Sequence, residues 1–508
     1  MLTGLHDLLQ SYLGVLNPVS LTYGLGGALI GIIVGCLPGL SATLCIALLT
    51  TLTMKLAAND AILVLVCSYV GTLYGGSRTA ILLNIPGTAA NAASCADGHA
   101  LARRGEAGRA IGIATSGAFT STLFGVICLA AFTPLLARVA LSFGSYEFFW
   151  LALFGVTMSG SIVGRDPLKG WLMGLLGLFT AQIGQDGLYA HDRFTFDWDQ
   201  LSGGVALIPA LIGAFGFAEI LTKLADPIEA RLIEMKDSVL PRFREVAQYW
   251  PTVLRSGVIG VTTGLMPGVG EDSGAWMSYA AAKALSREPE TFGHGSIDGL
   301  MAAETGDMAS IPGHMIPLLA LGIPGSAPSA VLMAAMIIHG IQPGPMLMIE
   351  HPRFIYDVVA MTTVAMFSIL LFGLFLVRPL LLVLRVKGAV LMPIIFLLCT
   401  VGAYANASRL FDVYTMLVVG IGAFLLRRRG YHMAPFVLGL VLGGLLDKSL
   451  RRSLVLSDGS ILPFFTRPIS LGIAIVTAIT LLLYVPACKT ALRRLGGGIR
   501  RSLRHRPV

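Results

Sequence analysis

The chain has 508 residues, 55% hydrophobic and 13% charged, with a net charge of +8 and a mean hydropathy of +0.78. A soluble domain carries about 25% charged residues, so a soluble globular protein is excluded. The excess of Lys and Arg needs no nucleic-acid partner, because basic residues gather in the cytoplasmic loops of membrane proteins.

The composition indicates an all-α polytopic membrane protein embedded in a lipid bilayer. A crossing needs about 20 apolar residues, and the apolar runs allow about ten to twelve transmembrane or re-entrant helices. Residues 1–23 lack the basic start and small-residue cleavage site of a signal peptide. They are expected to stay as an interfacial helix or a short first membrane segment. The first membrane half follows at 24–222, a cytoplasmic linker at 223–249, the second half at 250–487 and a basic cytoplasmic tail at 488–508.

Basic stretches set the orientation: HALARRGEAGRA (99–110), GRDPLKG (164–170), the linker, RVK (385–387) and RRR (427–429) read as cytoplasmic. The acidic, aromatic segment 186–200 reads as periplasmic. DKSLRRS (447–453) is basic where alternation places it outside, and a re-entrant element there is expected to resolve the conflict. The tail, KTALRRLGGGIRRSLRHRPV, suits anionic lipid. Cys36, Cys45, Cys67, Cys95, Cys128, Cys399 and Cys488 form no CxxC pair; they read as small apolar residues, with no metal site.

GCLPGLSATLCIALLTTLTMKL (35–56) is similar to GLMPGVGEDSGAWMSYAAAKAL (264–285), and LLNIPGTAA (82–90) to ALGIPGSAP (320–328), in the same order. The chain thus holds two repeats, 24–105 and 253–345. The first ends at the basic loop, inside. The second must end outside, because the apolar run 354–384 leads back to a cytoplasmic loop. These are inverted repeats, the arrangement of secondary transporters that bind substrate at the midplane; one miscounted crossing would make them parallel.

Four Pro-Gly pairs break the helices at matched places: Pro38-Gly39, Pro86-Gly87, Pro267-Gly268 and Pro324-Gly325. Each is followed by a small or hydroxylated residue: Ser41, Thr88, Gly270 and Ser326. Irregular backbone at membrane depth is tolerated where protein or a wet cavity satisfies it. Such turns expose N–H groups at half-helix N-termini, which suit a carboxylate. Simple kinks are the bland alternative. Glu271, Asp272, Glu304 and Asp307 cluster in the second repeat, and a carboxylate at mid-bilayer costs roughly 2.5–3.5 kcal/mol. They serve Na⁺ or H⁺ coupling, or else Glu304 and Asp307 occupy a wet loop. Arg78 either clamps a substrate carboxylate or ties down one of these acids; Ser77 and Asn84 add neutral donors.

The chain has no nucleotide-binding GxxxxGK[ST] and no HExxH. GVGED (268–272) departs from the GxGD of intramembrane aspartyl proteases by carrying Glu271 at the fourth position. An enzyme, or a carrier of a non-carboxylate solute, remains the alternative to a carboxylate carrier.

At YVGTLYGGSRTAILLNIPG with DGHALARRGEAGRA, at GLMPGVG with SYAAAKALS and FGHGSIDG, at IPLLALGIPGS with HGIQPGP, and at LGGLLDKSLRRSLVLSDG, the chain resembles the large membrane subunit (TctA-type) of tripartite tricarboxylate transporters. The resemblance covers about residues 20 to 485. It implies a secondary importer of small carboxylates such as citrate in the bacterial inner membrane, with no cofactor beyond a coupling Na⁺ or H⁺. It also implies two partners, a small TctB-type membrane subunit and a periplasmic TctC-type solute-binding protein. It puts weight on Pro38, Gly39, Gly75, Gly76, Asn84, Pro86, Gly87, Asp97, Pro267, Gly268, Gly270, Asp272, Glu304, Pro324 and Gly325. The chain departs from the family pattern at Glu271, usually a small residue, and at Asp307-Met308, usually an Asn pair. Both departures add charge near the presumed site.

Overall fold

The computed structural model describes residues 2–484 except 38, 163–165, 187–189, 226–232, 234, 236, 242, 385 and 387. Pro38, the tail 488–508, much of the linker, and parts of the GRDPLKG, RVK and 186–200 segments therefore lie outside the described residues.

Apolar composition and backbone self-satisfaction make nearly every described element a helix. Seven helices are long and apolar enough to cross a membrane, and four shorter apolar helices accompany them. The first repeat contains α2 (Pro18–Gly35), α3 (Ala42–Thr53) and α4 (Ala58–Leu83), preceded by α1 (Leu2–Val15). Asn17 caps α2 by accepting from Val19 N at 3.3 Å, and Pro18 takes the first helical position. The boundary expected between 23 and 24 therefore falls inside a helix and moves to 17. After α4, a turn and a π-helical segment (Cys95–His99) lead to α5 (Ala107–Ala140). Then come α6 (Ser145–Ile162), α7 (Pro167–Ala181) and α8 (Leu207–Ala225), the last carrying a second π-helical turn at Ile212–Phe217. Since α8 runs to Ala225, the linker starts later than 223.

The second repeat contains α9 (Trp250–Leu265), α10 (Gly270–Leu285), α11 (Ile297–Leu321) and α12 (Ala327–Ile338). Outer helices follow: α13 (Phe354–Phe375), α14 (Gly388–Ala407), α15 (Leu410–Arg428), α16 (Met433–Leu456) and α17 (Pro468–Tyr484). On α15, Leu410, Tyr414, Val418, Ile421 and Leu425 form an exposed stripe while Asp412, Met416, Gly420 and Ala423 are buried. Such a face suits hydrocarbon.

The two repeats are held by the same close approaches. Residues α2 and α4 bring together in the first are matched in the second by α9 and α11. A methyl group on Gly31 would collide with the Ser68 carbonyl, and one on Gly260 with that of Gly306. Gly35 meets the Thr72 carbonyl as Gly264 meets Ser310, and Gly75 meets Ile32 as Gly313 meets Val261. Small residues let backbones touch where no hydrophobic force exists between helices.

The repeats also run in opposite directions. Ser77 and Arg78 of α4 face Glu304 of α11; Asn91 bridges the Leu73 carbonyl and Asp307; and Tyr69 lies at His314. Descending numbers on α4 thus meet ascending numbers on α11, so these equivalent helices are antiparallel. α4 and α11 are buried around almost their whole circumference, which places Glu304 and Asp307 inside the protein and removes the wet-loop alternative.

The re-entrant element expected near 447–453 is absent: DKSLRRS forms the last turns of the continuous α16. Arg451 and Asp447 of this run are paired with the acidic segment that reads as periplasmic. There a two-residue hairpin, β1 (Gly184–Gln185) with β2 (Asp192–Arg193), presents Asp186 to Arg451 at 2.7 Å and Arg193 to Asp447 at 3.2 Å. At the opposite end the linker folds back, and Asp237 accepts from Gly108 N and Arg109 N at 2.6 and 2.8 Å, capping α5.

Cysteines introduced singly at Gly105 and Pro345, after the first and second repeats, should react with an impermeant maleimide from opposite sides of the membrane. Labelling of both from one side would contradict the antiparallel arrangement.

Candidate functional site

The helix breaks take the same shape in both repeats. Gly39 and Gly268, in the first break of each, have φ of 90° and 77°, a left-handed conformation that glycine adopts without penalty. The second breaks start from left-handed C-caps, Asn84 (φ 56°) and Gly322 (φ 70°). The next backbone donors also match, since Ile85 N reaches Thr79 O and Ile323 N reaches Pro317 O, both at 3.4 Å. Each then closes with a side chain three residues on. Thr88 N donates to Asn91 Oδ1 at 3.2 Å, and Ser326 N to Ser329 Oγ at 2.8 Å. Gly268 N donates to the Gly325 carbonyl at 3.0 Å, joining the two breaks of the second repeat.

All four breaks converge on one cavity of about 400 Å³. The N-termini of α3, α10 and α12 open onto it through Ser41, Gly270 and Ser326, and that of α16 through His432 and Met433. Thr43, Thr88, Glu271, Asp272, Phe215, Arg427 and Tyr431 complete its wall. Ser41 caps α3 by accepting from Leu44 N at 3.2 Å, and Ser326 forms a capping box with Ser329.

Glu271 is the hinge between cavity and interior. It accepts from the Tyr69 hydroxyl and from Ser326 Oγ, the latter at 2.9 Å, and lies 3.7 Å from His314 Nδ1. Asp307 lies at the mirror position of Tyr69. It accepts from Asn91 Nδ2 at 3.2 Å, while its Oδ1 has no hydrogen-bond partner among the described residues. Glu304 accepts from Ser94 Oγ at 2.6 Å. Each repeat therefore offers a polar residue at the middle of its long helix to the broken segment of the other.

Of the residues expected to bind substrate, Ser41, Thr88, Gly270 and Ser326 line the cavity, as do Glu271 and Asp272 of the expected ion-coupling set. Gly39, Gly87, Gly268 and Gly325 shape the breaks behind it: a Cβ on Gly87 would strike the Gly35 carbonyl and one on Gly325 the His314 ring. Asn84 and Pro86 are exposed and Pro324 is buried. Arg78 is outside the cavity wall. Its guanidinium stacks 3.3 Å from the Tyr74 ring centroid and donates to the Tyr74 carbonyl and Ser77 at 2.7 Å and to Thr115 at 2.8 Å. Ser77 is spent on the same cluster, so the structure places both in a buried tie. Tyr69, His314, Phe215 and Arg427 gave no sequence signal: three resemble ordinary apolar-helix residues and Arg427 belongs to a run that reads as a loop.

A second buried acid joins the repeats. Asp97 Oδ1 accepts from the backbone N–H of Gly293, Gly295 and Ser296, each at 2.8 Å, and Oδ2 accepts from Tyr279 at 2.9 Å. It thereby fixes the start of α11 from the first repeat.

The profile of the tripartite tricarboxylate transporter TctA family matches residues 21–438, and the chain belongs to that family. Two relatives from Agrobacterium vitis are each 35% identical. One, described as an uncharacterized 52.8 kDa protein in the TAR-I ttuC' 3'region, aligns over 91% of this chain and 92% of its own. The other, from the TAR-II ttuC' 3'region, aligns over 44% of this chain and 94% of its own. No solved structure matches significantly.

Asp97→Ala leaves three backbone donors and a tyrosine hydroxyl without their acceptor, a loss of about 3 kcal/mol or more. Asp97→Asn keeps one acceptor oxygen and should lose about half as much. Thermal unfolding in detergent should rank wild type above Asn above Ala; equal melting temperatures would remove Asp97 from the inter-repeat joint.

Proposed function

We propose that this TctA-family chain is the transport subunit of a secondary importer of small di- and tricarboxylates in the bacterial inner membrane. A periplasmic solute-binding protein delivers the substrate, and a small membrane subunit completes the complex. The basic C-terminal tail faces the cytoplasm. One observation carries the reading: four helix N-termini and a guanidinium face a single cavity between oppositely directed repeats. Each N-terminus presents roughly half a positive charge, so the cavity suits an anion with several carboxylates. Its size lies within the usual range for small-molecule sites, about 300–1,000 Å³. Inverted repeats around such a site support alternating access, one repeat rocking against the other.

The same geometry supports ion coupling at the acids. Among the described residues no three His, Cys, Asp or Glu side chains cluster as a metal site. A coupling Na⁺ would then rest on carbonyls and hydroxyls of the breaks with Glu271 or Asp272. A proton would rest on a carboxylate itself, and the departures from the family at Glu271 and Asp307 favour this use. Tyr69, His314 and Asp272 surround Glu271, and Glu304 stands beside Asp307.

Proteoliposomes holding the chain and its two partners should accumulate a labelled carboxylate from a panel of citrate, succinate and malate under an imposed Na⁺ or proton gradient. The gradient that drives uptake names the ion. No accumulation, with the binding protein shown to hold a panel member, would overturn the carrier reading. In the proton-coupled case, wild-type uptake rises as external pH falls, and Glu271→Gln and Asp307→Asn flatten that dependence; an unchanged profile in both variants rejects protons at these sites.

A further inference from the structure

Arg427 stands at the inner end of α15 in the cavity wall and is the one guanidinium or ammonium among the residues lining it. Its Nη1 donates to Glu219 Oε2 at 2.9 Å and its Nη2 to the Ala214 carbonyl at 2.9 Å. The carbonyl is free because the π-helical turn in α8 redirects the next donor, so that Ala218 N bonds to Gly213 O. A π-helical turn is thus used to hold a cation, as such turns often are at functional sites. Glu219 Oε1 and the Lys223 ammonium end both lie against Gly39, where a Cβ would strike them. The Arg427–Glu219 pair therefore touches both the cavity and the first break of the first repeat.

The contact with Glu219 uses one nitrogen and one oxygen. A guanidinium offers a planar fork of five N–H groups that binds a carboxylate through two parallel hydrogen bonds. A carboxylate entering the cavity can make the fork contact that Glu219 does not. Glu219 also has an alternative partner, because Lys223 lies one turn further along α8, where Glu N-terminal to Lys is the favourable order.

We infer that Arg427 is the residue that grips a substrate carboxylate, and that Glu219 is a resident carboxylate holding its place until substrate displaces it. The inference rests on the carboxylate reading above. Displacement moves Glu219 from Arg427 onto Lys223, whose side chain also lies against Gly39, so that binding is felt directly at a helix break.

The two roles open to this ion pair give opposite signs. If Glu219 competes with substrate, Glu219→Gln binds the acid more tightly, by threefold or more, while Arg427→Gln binds it at least tenfold more weakly. Arg427→Lys falls between, keeping the charge and losing the fork. If the pair is only structural, Glu219→Gln and Arg427→Gln weaken binding together. The measurement is the apparent dissociation constant of citrate, succinate and malate for the purified full chain, read from ligand-induced thermal stabilisation in detergent, with size-exclusion profiles confirming a folded variant. A gain of affinity in Glu219→Gln cannot come from misfolding. Unchanged or weaker binding in that variant, or wild-type affinity in Arg427→Gln, overturns this assignment alone. A wild-type chain that binds none of the acids overturns the carboxylate reading, and the assignment with it.

Discussion

A helix broken inside hydrocarbon must find partners for every N–H and C=O it frees, because no water is there to supply them. The rest of this structure follows from that demand. The second break of each repeat is closed first by its own residues: the left-handed caps at Asn84 and Gly322, and the back-bonds from Asn91 and Ser329. What remains is closed by the other repeat. Tyr69 of α4 reaches the Glu271 and Ser326 break, and Asp307 of α11 reaches the Asn91 break. Neither repeat completes its own polar core, so the two must stay interlocked. The close glycine contacts between α2 and α4 and between α9 and α11 keep each pair rigid while this happens.

The same demand explains how acids are tolerated at depth. Glu271 has two hydroxyl donors and lies at the N-terminus of α10, where a negative charge complements the dipole. Asp97 accepts four hydrogen bonds near the start of α11. Each carboxylate is placed where main-chain dipoles point at it. The cavity inherits this design, since its walls are the ends of helices whose first N–H groups lack intrahelical acceptors. Arg427 adds a guanidinium, paired with the adjacent Glu219.

The polytopic helical class, the two repeats and the four breaks were legible because they rest on local signals: apolar length, Pro-Gly pairs and small residues in matched order. The small residues after each break are legible for the same reason, and all four line the cavity. Arg78 leaves clamp and tie both open in sequence, because a lone basic residue in an apolar helix gives no sign of whether it faces a cavity or a tyrosine ring; the structure puts it against Tyr74. Arg427 was passed over because RRR (427–429) satisfies the rule for cytoplasmic loops, and only tertiary packing brings its first member back into the wall. DKSLRRS shows the converse, where a basic run contradicts charge bias and is explained by Asp186, distant in sequence but next to it in space. His314 and Tyr69 carry no local mark at all; their role exists only where α4 crosses α11.

The inverted arrangement is chemically uneven, and the unevenness has a consequence for the proposed transport cycle. Tyr69 and Asp307 occupy equivalent places on α4 and α11, yet one donates to a carboxylate and the other is a carboxylate. Likewise Gly76 in the first repeat corresponds to His314 in the second, beside breaks that otherwise match. With identical repeats, outward- and inward-facing states would be near mirror images of similar free energy. Here the breaks of the second repeat are held by the Tyr69–Glu271–Ser326 contacts, while the Asn91 break of the first repeat faces an Asp307 with one oxygen unpartnered among the described residues. The Asn91 break is therefore the more weakly tied of the two, and Glu219 lies against the other break of the same repeat, at Gly39. A ligand shifts an equilibrium only by its differential affinity for the two states. A carboxylate that takes Arg427 from Glu219 therefore acts on the repeat that holds the weaker tie, and it biases the two states by the difference in its grip on Arg427 between them.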